Sequence, residues 1–168
     1  MLMLMFQIKE EPWAIAADEI DALEPLVALQ RLPYSAEQFA GLLNYHGERL
    51  PVIDVSAFVG GESVPLSLST RIAIVSTASL NGAASDVVAD SASGPELLPS
   101  KMALLLDQAY EIVQLSEKVD LPCRHSLVKA TWRDVTGRAV QQIAIAPLLR
   151  QASHNKSLSD YQTEMGVA

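Results

Sequence analysis

The chain has 168 residues, a length typical of one domain or two small ones. Its residues are 49% hydrophobic, which is ample for a buried core. Its formal charge is −8 and its 12 Lys and Arg residues form no run, so we expect no binding to nucleic acid. Cys123 is the single cysteine, so no internal disulfide can form, and this usage fits a reducing compartment.

The N-terminal residues 1–6 are apolar but lack the basic flank and the cleavage site of a signal peptide, and we predict that they form the first strand. Residues 13–16 continue the strand pattern. No apolar run approaches the roughly 18 residues of a membrane-spanning helix. We therefore expect a cytoplasmic protein that does not insert into a membrane.

The two segments that follow are residues 18–24 and residues 33–38. The mixed acidic and apolar residues 18–24 fit either a strand or a helix. Residues 33–38 predict a short helix, because Ser35 can cap its start and Gln38 can reach back to that cap. We expect Gly41 to end this helix.

The stretch GLLNYHGERLPVIDV, residues 41–55, predicts a β-hairpin. Two leucines precede a turn at His46 and Gly47, where glycine can take a positive φ, and residues 50–55 form the return strand. Pro51 cannot donate a hydrogen bond to a neighbouring strand, so we expect this strand to have one free edge.

The rest of the chain predicts further strands, at residues 71–76, 102–106 and 111–115, and little helix. Residues 80–100 contain no Lys or Arg and are rich in small and turn-forming residues, which predicts a long mobile loop. The tail after Arg150 is polar and is expected to be frayed or loosely helical.

One internal similarity links the two halves of the chain. When Gly47 is aligned with Gly137, apolar residues coincide at several positions. The coinciding pairs are Leu50 and Val140, Ile53 and Ile143, Val55 and Ile145, Phe58 and Leu148, and Val59 and Leu149. We interpret this as a shared hairpin, and it favours two small β-barrels packed together.

Residues that could support catalysis are present, but their spacing is not diagnostic. They are Cys123, His46, His125, His154, Asp54 and Asp107. Cys123 and His125 are two residues apart and supply two metal ligands. A structural zinc site needs about four, so we expect no metal. No phosphate-binding glycine motif and no nucleophile elbow occurs, so we expect no cofactor.

One enzymatic alternative is a small hydrolase that uses His46 with Asp54. An aspartate at the end of a strand more often accepts hydrogen bonds from backbone N–H groups of the next turn, and we favour that interpretation for Asp54. A protruding turn without catalytic groups instead indicates a surface that binds other proteins.

The order of these motifs resembles the CheW-like chemotaxis coupling proteins from Phe6 to Leu149. The residues are Phe6, WAI at 13–15, Glu19, Ile20, Pro33, Gly41, Asn44, Gly47, PVID at 51–54, RIAIV at 71–75 and ALLLD at 103–107. The most specific part is the turn with its glycines and asparagine, followed by the Pro-Val-Ile-Asp motif.

The resemblance implies a mainly β fold of two SH3-like five-stranded barrels with short helices, in a single domain at residues 1–150 with a polar tail at 151–168. It also implies a non-enzymatic adaptor that couples the cytoplasmic tips of chemoreceptors to the regulatory domain of a CheA-type histidine kinase, a domain homologous to the adaptor. An alternative is a scaffold of a specialised system, for type IV pilus motility or surface sensing, with altered kinase coupling.

Two features depart from the family pattern. Family members usually carry Arg at the position of His46, and the loop at residues 80–100 is longer and more polar than usual. We expect the hairpin to bind the partner through Gly41, Leu42, Asn44, His46, Gly47, Glu48 and Arg49.

Overall fold

The computed structural model describes residues 1–32, 37–78, 99–123 and 125–153. Its strands are β1 (Leu2–Ile8), β2 (Glu11–Ala16), β3 (Ala22–Pro25), β4 (Phe39–Tyr45), β5 (Glu48–Asp54), β6 (Arg71–Ser76), β7 (Lys101–Gln114), β8 (Glu117–Val119), β9 (Val128–Arg133) and β10 (Ala139–Ile143). The α-helices are α1 (Val55–Gly60) and α2 (Ile145–Ser153), and Ala17–Glu19 form a short 3-10 helix. The low helix content agrees with the prediction, and the ambiguous residues 18–24 hold part of the 3-10 helix and most of β3.

The strands form two groups that share β7. The first sheet has five strands in the order β3–β6–β7–β5–β4, and the second has six in the order β7–β1–β2–β10–β9–β8. A bridge between Gln30 and Leu42 joins the segment after β3 to β4 and curls the first sheet towards closure. The predicted mainly β fold of two packed SH3-like barrels is confirmed, although the second sheet gains a sixth strand because β7 runs through both.

The long strand β7 replaces two predicted strands. Its residues 101–106 pair with β6 in the first sheet, and its later residues pair with β1 in the second. Residues 102–106 and 111–115 are predicted as separate strands, but the chain continues between them through a local irregularity. Gln108 has a φ of 48°, and the register with β1 shifts between Met5 and Gln7. This bend lets one strand serve both sheets.

Apolar side chains form a central core between the sheets and a smaller core within each sheet. The central core joins residues of β1, β2, β5 and β7 with α1 and α2, and its large side chains include Phe6, Trp13 and Leu104. Leu50 and Ile74 belong to the core of the first sheet, whereas Met3 and Val140 belong to that of the second. Because both sheets contribute side chains to the central core, they pack together as one unit.

The internal similarity seen in the sequence corresponds to a structural repeat. In each half, a hairpin turn with a glycine at φ 85° leads into a strand and then a helix: Gly47, β5 and α1, and Gly137, β10 and α2. The aligned apolar residues are buried or packed against a core cluster. The second strand of each repeat also has a parallel partner, β7 for β5 and β2 for β10.

Gly41 lies inside β4 and does not end a helix, so that prediction is wrong. Residues 37 and 38 form a turn, and Ser35 lies outside the described residues, as do residues 80–98 of the predicted mobile loop and the tail after residue 153. Gly41 has a φ of 140°, and a Cβ there would lie 2.6 Å from the carbonyl oxygen of Gln30. The glycine is required because two backbones meet closely.

The second strand of the hairpin is more enclosed than Pro51 suggested. β5 pairs with β4 on one side, where Pro51 lies opposite Leu42. On the other side it pairs with β7 at residues 52–54. Within the described strands, the free edge is therefore limited to residues 48–51, and the proline lies next to the point where parallel pairing begins.

Candidate partner-binding site

The β4–β5 hairpin closes with a two-residue turn at His46 and Gly47. Tyr45 pairs with Glu48 across it, and the central residues have φ values of 49° and 85°. Positive φ at both positions is typical of a type I′ turn, which matches the twist of the strands. The amide of Gly47 donates to Asn44 Oδ1 at 3.2 Å. The turn therefore has a defined shape without a partner.

The predicted binding residues divide into an exposed set and a buried set. Asn44, His46, Gly47, Glu48 and Arg49 are exposed at the end of the hairpin, which we call the tip. Gly41 and Leu42 are buried, and both lie against the segment that contains Gln30. These two residues hold the hairpin against the sheet, and the five exposed residues are the ones that remain accessible at its end.

Two neighbours of the tip were missed by sequence reasoning. The Tyr45 ring meets the His46 imidazole edge to face, with centroids 4.3 Å apart and planes at 74°. Lys101 Nζ lies 5.8 Å from the Tyr45 ring centroid and 3.9 Å from Asp21 Oδ2. Tyr45 could have been noticed as the residue before the turn, but nothing in the sequence connects Lys101 with the hairpin.

Asp54 caps α1 and anchors the loop that follows it. Its carboxylate accepts hydrogen bonds from the amides of Ala57 at 3.0 Å and Val64 at 2.8 Å, and the residue is 3% exposed. Burial raises the pKa of Asp54, while hydrogen bonds from the backbone of Ala57, Val64 and Ser56 oppose the shift. The predicted capping role is confirmed.

The geometry gives no support for a hydrolase built from His46 and Asp54. His46 lies in the turn before the seven-residue strand β5 and Asp54 is the last residue of that strand, which is about 20 Å long at roughly 3.3 Å per residue. Both oxygens of Asp54 already accept backbone hydrogen bonds. A general base and its orienting group must lie within hydrogen-bond reach of each other, so this pair cannot act together.

The other candidate residues are dispersed. Cys123 is an exposed free thiol, and His125 Nδ1 accepts a hydrogen bond from the amide of Leu127 at 3.2 Å. Partial burial raises the pKa of Asp107, and His154 lies outside the described residues. Across the described ranges, three or more metal-ligating side chains nowhere come together, and no helix is long and apolar enough to cross a membrane.

We expect Cys123→Ser to be neutral. The thiol is exposed, and among the described residues it belongs to no group of three or more metal-ligating side chains. The free energy of unfolding, measured by urea denaturation, should change by less than about 0.5 kcal/mol, as for most surface substitutions. Loss of partner binding by this variant, with its fold intact, would contradict the expectation.

Comparison with known proteins identifies the family. The CheW-like domain model matches residues 2–153. Among solved structures, the chain is similar to the scaffolding protein TtCheW from Thermoanaerobacter tengcongensis, with a TM-score of 0.65 and 19% identity, covering 86% of this chain and 84% of that one. A comparison with curated protein sequences gives no match. Because the family match spans almost the whole chain, this protein belongs to the CheW-like domain family and is a non-enzymatic scaffold of chemosensory systems.

Proposed function

We propose that the chain couples chemoreceptors to a CheA-type histidine kinase. Its partners are then the cytoplasmic tip of a receptor and the regulatory domain of the kinase. Membership of the CheW-like family supports this role. The observation that carries it is the hairpin tip, whose shape is set within the chain and whose five end residues are exposed.

An adaptor needs a second surface, and a groove beside the first sheet, lined by both apolar and charged side chains, is suited to that role. The groove encloses about 970 Å³, and Leu29, Leu32 and Phe39 contribute to its lining. Two further lining residues are exposed apolar side chains, Val27 at 45% and Leu66 at 63%. The exposed apolar side chains within this mixed lining fit a folded domain whose end surface is apolar at its centre and polar at its rim. We assign the kinase domain to the groove and the receptor to the polar tip.

Bridging is tested with three components. The full chain is mixed with a receptor cytoplasmic fragment and the kinase regulatory domain, and the complex is followed by sedimentation. The kinase domain should sediment with the receptor only when the chain is present. A chain that binds each partner separately but never both, or binds neither, would contradict the proposal.

Matched variants separate the two surfaces. Leu66→Asp places a charge in the groove and should weaken kinase binding at least tenfold while receptor binding is kept. Leu68→Asp is the control, since Leu68 is 96% exposed in the same loop and does not line the groove. Equal loss in both variants, or no loss in either, would rule out the groove as the kinase surface.

A further inference from the structure

We propose that Lys101 is a positioning residue for the hairpin tip. Asp21 holds its ammonium group, the ammonium group lies at the ring of Tyr45, and that ring in turn fixes the orientation of the His46 imidazole. The inference rests on the proposed function for its biological meaning. Its physical content, the orientation of His46, is measurable in the chain alone.

The contacts form a continuous path. Asp21 Oδ2 lies 3.9 Å from Lys101 Nζ, which lies 5.8 Å from the Tyr45 centroid. That distance is within the range of about 6 Å in which a cation is attracted to an aromatic ring. The final step is the edge-to-face contact between Tyr45 and His46, with centroids 4.3 Å apart. This is a preferred geometry for aromatic pairs.

The path begins on residues that are anchored by contacts outside the hairpin. The amide of Asp21 donates to the carbonyl of Ile74 in β6 at 2.8 Å, which anchors Asp21 beside the first sheet. Lys101 is the first residue of β7 and pairs with Ser76. Tyr45 is partly buried and packs against the core of the first sheet. The support of the tip thus comes from strands distant from it in sequence.

The path should act on orientation more than on stability. The side chains of Lys101 and Asp21 are 39% and 41% exposed, so water screens their attraction. His46 has a positive φ in a tight turn, and its backbone direction is already set. The backbone does not fix the side-chain rotamer of His46. The neighbouring ring of Tyr45, which Lys101 contacts in turn, is suited to restrict that rotamer.

The first experiment needs no partner. The imidazole proton shifts of His46 are recorded by NMR in the wild-type chain and in Lys101→Met, Lys101→Arg, Tyr45→Leu and Lys118→Met. The Tyr45→Leu variant removes the ring and defines the shift without it. Lys101→Met should move the His46 signals at least halfway towards that value. Lys101→Arg should restore them because it keeps the cation, and Lys118→Met, on β8, should leave them unchanged.

Unchanged His46 shifts in a folded Lys101→Met variant would overturn the proposal. A displacement equal to that in Lys118→Met would do the same. Thermal melting of each variant shows whether it is folded. If Lys101 had a purely structural role, Lys101→Met would lower the melting temperature and Lys101→Arg would not restore the His46 shifts.

The second experiment connects orientation with binding. The affinity for the receptor fragment should fall about three- to tenfold in Lys101→Met and recover in Lys101→Arg. If His46→Ala weakens receptor binding but Lys101→Met alters neither the shifts nor the affinity, the positioning role fails and the proposed function stands. If Lys101→Met moves the shifts but neither variant affects receptor binding, positioning holds and the assignment of the receptor to the tip fails.

Discussion

Gly41→Ala should lower the free energy of unfolding by about 3 kcal/mol. The new Cβ would lie 2.6 Å from the Gln30 carbonyl oxygen, so one backbone must move. Overpacking of this kind costs about 1–3 kcal/mol, and a side chain at the φ of 140° adds about 1–2 kcal/mol. The shift would also strain the paired hydrogen bonds between Gln30 and Leu42, which are 2.8 and 2.9 Å long.

The matched control is Gly47→Ala. Gly47 also has a positive φ, of 85°, but no atom lies within 4 Å of the position of a Cβ. It should cost only about 1 kcal/mol. For a chain of this length, thermal melting should then fall by about 6–12 °C for Gly41→Ala and by a third of that for Gly47→Ala. Equal losses in the two variants would show that close contact with Gln30 is not the reason for Gly41.

Asp54→Ala should be the second large effect, lowering the free energy of unfolding by about 2–3 kcal/mol. It removes the acceptor for two buried amides, those of Ala57 and Val64, and each unpaired amide costs about 1–3 kcal/mol. The substitution also removes the free-energy cost of burying a carboxylate, which offsets part of this loss. The raised pKa of Asp54 reflects that cost. Urea denaturation at neutral pH measures the difference.

The conservative variant Asp54→Asn provides the pH test. The folded chain holds the Asp54 proton more tightly than the unfolded chain, because its pKa is raised. The contribution of Asp54 to stability is therefore greatest below its ordinary pKa and decreases as pH rises from that value through the raised one. The asparagine variant should lack this decrease and should keep one of the two amides paired. An identical pH dependence in wild type and variant would contradict the assignment.

Local signals predicted the hairpin and the repeat. A glycine turn between apolar runs specified both the turn at His46 and the start of β5, because few other structures satisfy that pattern. The same signal recurs before β10. The role of Asp54 as an acceptor for backbone amides was predictable from its position at the end of a strand, but the helix α1 that it caps was not predicted.

Contacts between distant segments were not predictable. The glycine at position 41 was interpreted as a helix end because its role depends on Gln30, which meets it only in the folded sheet. Lys101 and Tyr45 are likewise joined by the pairing of strands. The sequence predicts two strands where the structure has the single strand β7, because one irregular residue, Gln108, lets a strand bend without ending.

The most direct test of the account measures the affinity of His46→Ala for the two partners separately. The control is Val135→Ala, because Val135 is 99% exposed in the turn of the matching hairpin β9–β10. His46→Ala should weaken binding to the receptor fragment about five- to tenfold, as expected for a contact worth about 1–1.4 kcal/mol. It should leave binding to the kinase regulatory domain unchanged, and Val135→Ala should affect neither. Wild-type affinity of His46→Ala for the receptor would contradict the assignment of the hairpin tip as the receptor-binding surface.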